Sequence, residues 1–443
     1  MKQPIDILIK HGLVLTMNPN LDVIPDGAVA IKGNKIVDVG PTDRLRSTYE
    51  VETAIDATNK LVLPGLINTH THAPMTILRG IADDLPLMEW LEHHIWPVER
   101  KFMDADTVYL GAMLACIELL QSGTTTFVDM YFFEDKVAEA ATRAGIRCVV
   151  SEVLIDFPTP CNPTPEDAIK YTKWLMDKWR DHPLITVAVS AHAPYSCSKP
   201  VLQHAAKLAS EANVPLLIHL SETKDEVERI TQQHGMSPVE YLASIGFLGP
   251  NVIAIHCVHL SQHDIELLAR HRVSVSHNPE SNMKLASGIA PVPQLLAAGI
   301  NVGLGTDGTA SNNNLDMFGE MDTAAKLHKV ISGDPTVMDA KTVVKMATCM
   351  GAKVIGMDDK IGSIEKGKLA DIIIVDLNRP HLTPMYYPYS HLVYSARADD
   401  VEVVIINGKL VLRDRKLLTI DVDDVLEKAR SVAKRVQARS LQT

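Results

Sequence analysis

Five stretches in the middle of the chain read ITVAVSAH (185–192), PLLIHL (215–220), VIAIH (252–256), VSVSH (273–277) and INVGLGTD (300–307). Each is an apolar run of strand length, rich in β-branched residues, and each closes on or beside a histidine or aspartate. Thr126-Phe127-Val128-Asp129 is an earlier run of the same kind. Helical stretches, such as 201–212 and 261–271, lie between them. Strand alternating with helix over about 290 residues predicts a parallel sheet closed into a (β/α)8 barrel, an α/β fold.

The flanks have another character. Residues 5–16 are apolar with a glycine break, and 28–31 and 35–39 flank Lys32-Gly33-Asn34, a hairpin signal. Near the other end, 370–376 reads as a strand, and 401–406 and 409–412 flank Asn407-Gly408, a strong short hairpin signal. The two ends are therefore expected to pair into one small β-sandwich, built from 1–63 and 363–443, beside a barrel at 64–362. Residues 421–439 read as a charged amphipathic helix.

The chain has 443 residues, 46% of them hydrophobic and 22% charged, the balance of a soluble globular protein with a large core. Its formal net charge of -11 argues against a nucleic-acid partner, which needs a basic face to displace counterions from phosphates. No stretch approaches the roughly 20 apolar residues that span a bilayer. Met1 to Asp6 shows no basic region leading into an apolar one, so no secretory leader is expected. The six cysteines (116, 148, 161, 197, 257 and 349) form no CxxC pair and read as reduced thiols of a cytoplasmic protein.

The chemistry is concentrated in Pro64-Gly65-Leu66-Ile67-Asn68-Thr69-His70-Thr71-His72 and in the strand ends. Two histidines at i and i+2 on a strand point to one face and can bind one ion. An HxH alone is weak and fits two ordinary surface histidines. However, His192, His219, His256, His277 and Asp307 all sit at strand ends, following one another at 27, 37, 21 and 30 residues, close to one βα unit each. In a barrel these ends converge on one rim. Several imidazoles with a carboxylate suit zinc, and also iron or manganese. His70, His72, His219 and Asp307 are the expected ligands, leaving a position for water made acidic by the ion. Glu222, in His219-Leu220-Ser221-Glu222, is placed to shuttle a proton, although a glutamate at a helix N-terminus also suits the dipole. His256, rather than His259, is expected to face inward and meet the water or the substrate. His277 supports the pocket floor or is structural.

These motifs, in the order PGLINTHTH, HLSE, AIHCVHL, SHNPESNMKLASGIAPV, GLGTDGTASNN and GSIEKGKLADIIIVD, resemble the amidohydrolase superfamily over nearly the whole chain. More narrowly they are similar to the branch holding methylthioadenosine and S-adenosylhomocysteine deaminases, with s-triazine hydrolases and guanine deaminases nearby. The resemblance implies one Zn2+ held by His70, His72, His219 and Asp307, and Glu222 as proton shuttle. It implies that His256 contacts the attacking oxygen and that Asp307 passes a proton to departing ammonia. It also places Glu99 on the ribose hydroxyls, His192 on the substrate and Ser311 in the pocket lining. Glu152 stands where relatives accepting S-adenosylhomocysteine carry an arginine. A carboxylate there implies preference for methylthioadenosine and adenosine. A small-molecule nucleoside substrate and a homo-oligomer, dimer or tetramer, complete what the family implies. A triazine or guanine hydrolase with the same metal centre, and an inactive amidohydrolase-like assembly protein, are the alternatives. Filled ligand positions count against the second.

Overall fold

The computed structural model describes residues 2–440. The chain opens with β1 (Gln3–Leu15), β2 (Val23–Lys32), β3 (Lys35–Pro41), β4 (Tyr49–Asp56) and β5 (Lys60–Pro64). The barrel strands follow: β6 (Leu66–Thr71), β7 (Thr124–Tyr131), β8 (Arg147–Leu154), β9 (Ile185–Val187), β10 (Val189–Ala191), β11 (Leu216–Leu220), β12 (Val252–His256), β13 (Ser274–His277) and β14 (Val302–Leu304). The chain then returns to β15 (Ile372–Asp376), β16 (Val401–Ile406), β17 (Lys409–Arg413) and β18 (Lys416–Leu417).

The two ends form one nine-stranded sheet in the order β18-β17-β16-β15-β5-β1-β2-β3, with β4 also on β1. The seam joining them is the antiparallel pair β15/β5, from Ile372 opposite Pro64 to Asp376 opposite Lys60. Strand β1 pairs with β4 along its first half and with β5 at Leu13 and Val14, so the sheet bends there and wraps one apolar cluster that includes Ile9, Val29, Ile31, Val62, Ile372 and Ile405. Gly12 is therefore a bulge inside a continuous strand rather than the break its sequence suggests. A Cβ there would come within 2.6 Å of Val62 Cγ2. Both hairpin signals are turns: Asn407 and Gly408 each have positive φ, at 50° and 76°, as a two-residue hairpin turn with the sheet's twist requires.

Strands β6 to β14 are parallel and run in sequence order around the barrel, β9 and β10 being one strand interrupted at Ala188. The ring closes between first and last: the Asp307 amide donates to the His70 carbonyl (3.0 Å) and Thr69 Oγ1 to the Leu304 carbonyl (2.9 Å). Gly305 makes this closure possible, since a Cβ would stand 2.5 Å from Asn278 Oδ1 and 2.9 Å from the His70 nitrogen. Ile67, Val128, Val149, Val153, Leu217 and Ile253 belong to one buried cluster shared by successive strands, the packed barrel interior.

The end sheet is tied to the barrel by a buried ion pair. Arg147 of β8 holds Asp371 through Nε (2.8 Å) and Nη2 (3.1 Å), and Asp371 also accepts the Asn407 amide (2.7 Å). The C-terminal helix, Val422–Ser440, buries Val425, Ala429, Val432 and Val436 on one stripe and packs on the helix Ala105–Gln121. All six cysteines are free. Among the described residues, no helix is long and apolar enough to cross a membrane.

Candidate active site

The HxH segment is gripped by the end of β7. Thr71 Oγ1 and the Ala73 amide both donate to Asp129 Oδ1 at 2.6 Å, and His72 Nδ1 donates to the Met130 carbonyl at 2.5 Å. Between Asn68 and Thr71 the pairing of β6 with β7 carries an extra residue, a bulge beside His70. His219, near the end of β11, donates from Nδ1 to the His192 carbonyl (2.7 Å). A carbonyl can only accept, so in both rings the proton sits on Nδ1 and Nε2 presents a lone pair.

These lone pairs converge. Ring centroids lie 4.7 Å apart for His70 and His72, 5.1 Å for His70 and His219, and 5.5 Å for His72 and His219. Asp307 Oδ1 is 3.2 Å from His70 Nε2 and 3.3 Å from His72 Nε2. Such separations suit donors sharing one ion at about 2.0–2.2 Å. His70 supplies a second sign: it is fully buried, and neither ring nitrogen has a hydrogen-bond partner. A buried imidazole without partners is costly unless something else takes its lone pair. Burial holds His70 down to about 4, and His219 well below the usual histidine range, so both rings are neutral. Neutral imidazoles beside a carboxylate are a donor set for a divalent cation. Asp307 is fixed by Ser281 Oγ (2.6 Å) and Ser311 Oγ (2.9 Å), both donating to Oδ2.

Glu222 lies beside this cluster, with Oε2 3.6 Å from His256 Nε2 and Oε1 accepting from Ser287 Oγ (3.2 Å). Burial raises its carboxyl, with His256 opposing, so it is suited to carrying a proton. His256 is oriented by Asn282 Oδ1, 2.9 Å from Nδ1. His256 and Cys257 have φ of 72° and 52°, a left-handed kink that swings the ring off the strand alternation.

Above the cluster a cavity is lined by His72, His219, Glu222, His256, Asp307, His192, Glu99 and Ser311, together with many apolar side chains. Glu99 is buried and accepts from the Tyr131 hydroxyl (2.6 Å); burial lifts its carboxyl to about 8. His192 pairs through Nδ1 with Ser196 Oγ (2.7 Å), and burial lowers its ring to about 3.

One sequence expectation needs correction. Glu152 does not line the cavity. Val149 and Val153 face the barrel interior, so Glu152 points the other way, accepting from the Glu134 amide (3.1 Å) and Asn162 Nδ2 (2.8 Å). The Glu152 carboxyl therefore does not meet a substrate carboxylate. Of the two readings open for His277, the structural one fits: Ser276 faces inward to Thr69, and His277 Nε2 lies 3.1 Å from His328 Nε2. His259 is turned from the cluster, with Nε2 2.6 Å from the Ser287 carbonyl.

Several residues were not foreseen: Asp129, Tyr131, Ser281, Asn282, Ser287 and Glu226. Glu226 accepts the amides of Ser221 and Glu222, at 2.8 Å each. Its sequence signal was Thr223-Lys224-Asp225-Glu226, which resembles a capping box. Thr223 does cap the helix Lys224–His234, but the Glu226 carboxyl serves the catalytic loop.

A parallel barrel gathering imidazoles and a carboxylate at the C-terminal ends of its strands has the architecture of a metal-dependent hydrolase. The chain belongs to the amidohydrolase family, whose sequence profile matches residues 61–411. It is 54% identical to a 5-methylthioadenosine/S-adenosylhomocysteine deaminase of Syntrophobacter fumaroxidans, over 98% of each chain. It is 49% identical to a 5'-deoxyadenosine deaminase of Methanothermobacter thermautotrophicus, over 92% of this chain and 94% of that one. The crystal structure of an adenosine deaminase from Xanthomonas campestris with bound zinc superposes at a TM-score of 0.97, with 40% identity, over 99% of this chain and 100% of that one.

Proposed function

We propose that the chain hydrolytically deaminates an adenosine-type nucleoside to its inosine analogue and ammonia. The observation that carries this reading is the convergence of His70, His72, His219 and Asp307 beside Glu222, at the floor of a cavity that also holds the buried Glu99. One Zn2+ per chain is the occupant that best fits three neutral imidazoles and one carboxylate. Bound there, it would supply a water acidic enough to be a nucleophile near neutral pH.

The chain's own groups do the rest. Glu222 takes one proton from the water and gives it to the purine nitrogen next to C6 as the water oxygen adds to that carbon. His256, fixed by Asn282, offers Nε2 to the adding oxygen. Asp307, braced by Ser281 and Ser311, takes the proton left by the water and returns it to the departing amine, which leaves as ammonia. Glu99, held by Tyr131, accepts hydrogen bonds from the ribose diol, and His192 contacts the nucleoside. The unpaired thiols fit a reducing compartment, and hence a cytoplasmic enzyme.

The test is ammonia release from adenosine, 5'-deoxyadenosine and 5'-methylthioadenosine by zinc-loaded protein, with Glu222→Gln as control. Turnover of at least one nucleoside is expected, falling about 100-fold or more in a variant that keeps its zinc. Activity on guanine or a chlorotriazine, with none on the nucleosides, would replace this reading.

A further inference from the structure

The polar side chains lining the cavity are accounted for by the ion cluster, the proton shuttle, the diol and the nucleoside contacts. The remainder of the lining is aliphatic or aromatic, and among the described residues it contains no lysine and no arginine. One end is closed by rings. Trp96 packs on Phe157 with centroids 5.0 Å apart, and Tyr195 stands on the far side of His192 at 5.8 Å. Trp96, Phe157 and Tyr195 each face two spaces: the cavity on one side and a surface groove on the other. That groove holds Lys199 and Arg229 as well as Glu92 and Asp156, and the Arg229 guanidinium lies 6.0 Å from the Tyr195 ring centroid. A guanidinium thus stands just outside the wall of rings, beside Tyr195, and no lysine or arginine lines the inside.

This arrangement bears on the group at the nucleoside's 5' carbon, given the nucleoside reading above. In that reading C6 lies at the histidines and the diol at Glu99, and Glu99 shares the first turn of the helix Trp96–Phe102 with Trp96, which brings the ring wall next to the sugar. We propose that Trp96, Phe157 and Tyr195 are specificity-determining residues that confine the 5' group to a short, uncharged one, such as hydrogen or methylthio. A homocysteine chain would bring a zwitterion, an α-carboxylate with its α-ammonium, against these rings, where no lysine or arginine meets the carboxylate, and burying such charged groups among apolar side chains is strongly disfavoured. The wall favours the uncharged substrates among those that the names of its relatives mention.

The experiment compares kcat/KM of the zinc-loaded protein for 5'-deoxyadenosine, 5'-methylthioadenosine and S-adenosylhomocysteine, then repeats the comparison with Phe157→Ala and the milder Phe157→Leu. The expected result is a preference of about 100-fold or more for the two uncharged nucleosides, narrowing towards tenfold as the wall opens to the groove of Arg229. Equal use of S-adenosylhomocysteine by the unaltered protein overturns the wall while leaving nucleoside deamination intact. An unchanged ratio in both Phe157 variants overturns it too. Failure to deaminate any of the three overturns the nucleoside reading itself, and the wall with it.

Discussion

The backbone amide of Glu222 donates to the carboxyl of Glu226, 2.8 Å away, and the other oxygen of that carboxyl takes the amide of Ser221. One buried acid thus fixes the backbone from which another presents its proton, and Ser221 is held at a φ of 51° in the process. Glu226→Gln leaves a single acceptor oxygen for two amides. We expect kcat to fall about tenfold, the size of one lost hydrogen bond to a charged group. Zinc content, read by metal analysis, should not change. An unaltered kcat would remove Glu226 from the positioning of Glu222.

Asp129 performs the matching task for His72, since its two 2.6 Å hydrogen bonds reach Thr71 and Ala73 on either side of that residue. Outer-shell partners of this kind are worth about 10–100-fold in metal affinity. Asp129→Ala should weaken zinc binding by that factor in competition with a chromogenic chelator. Retention of full affinity would show that the segment holds its shape unaided.

The buried carboxyl of Glu152 gives a pH signature to stability. Burial raises it from 4.5 to about 8, so the folded protein keeps this proton over a range where the unfolded chain releases it. Stability from this group is fully present below about pH 4.5 and is lost as pH rises through 8. Glu152→Gln removes the dependence, so the Tm of the variant should gain on that of the unaltered protein between pH 5 and 8. Parallel Tm profiles would contradict the assignment.

Arg147→Ala would leave Asp371 buried without its cation. Breaking such a pair costs about 3–5 kcal/mol, readable in urea unfolding. The double variant with Asp371→Asn should lose less than the sum of the two single changes, because the orphaned charge is gone. Strict additivity would mean that the two side chains do not act as a pair.

The barrel, the joined ends and the ion cluster were legible because apolar runs and strand-end ligands are local signals. Which way a strand-end residue points was harder to read. His219 shares the parity of Leu217, which belongs to the barrel interior, and therefore reaches the cluster. His277 has the parity opposite to Ser276, and Glu152 the parity opposite to Val153, so both miss it. His256 reaches the cavity only through a left-handed kink at non-glycine residues, which no alternation rule foresees. The supporting acids Asp129 and Glu226 were hidden for a related reason: their partners are backbone amides, which every residue has.

The bond from the Asp307 amide to the His70 carbonyl joins the first barrel strand to the loop after the last. A polypeptide emerging from the ribosome therefore carries His70, His72 and His219 before Asp307 has been made. The four side chains come together only once the ring locks, so on the proposed reading half-made copies are expected to stay inert towards adenine nucleosides.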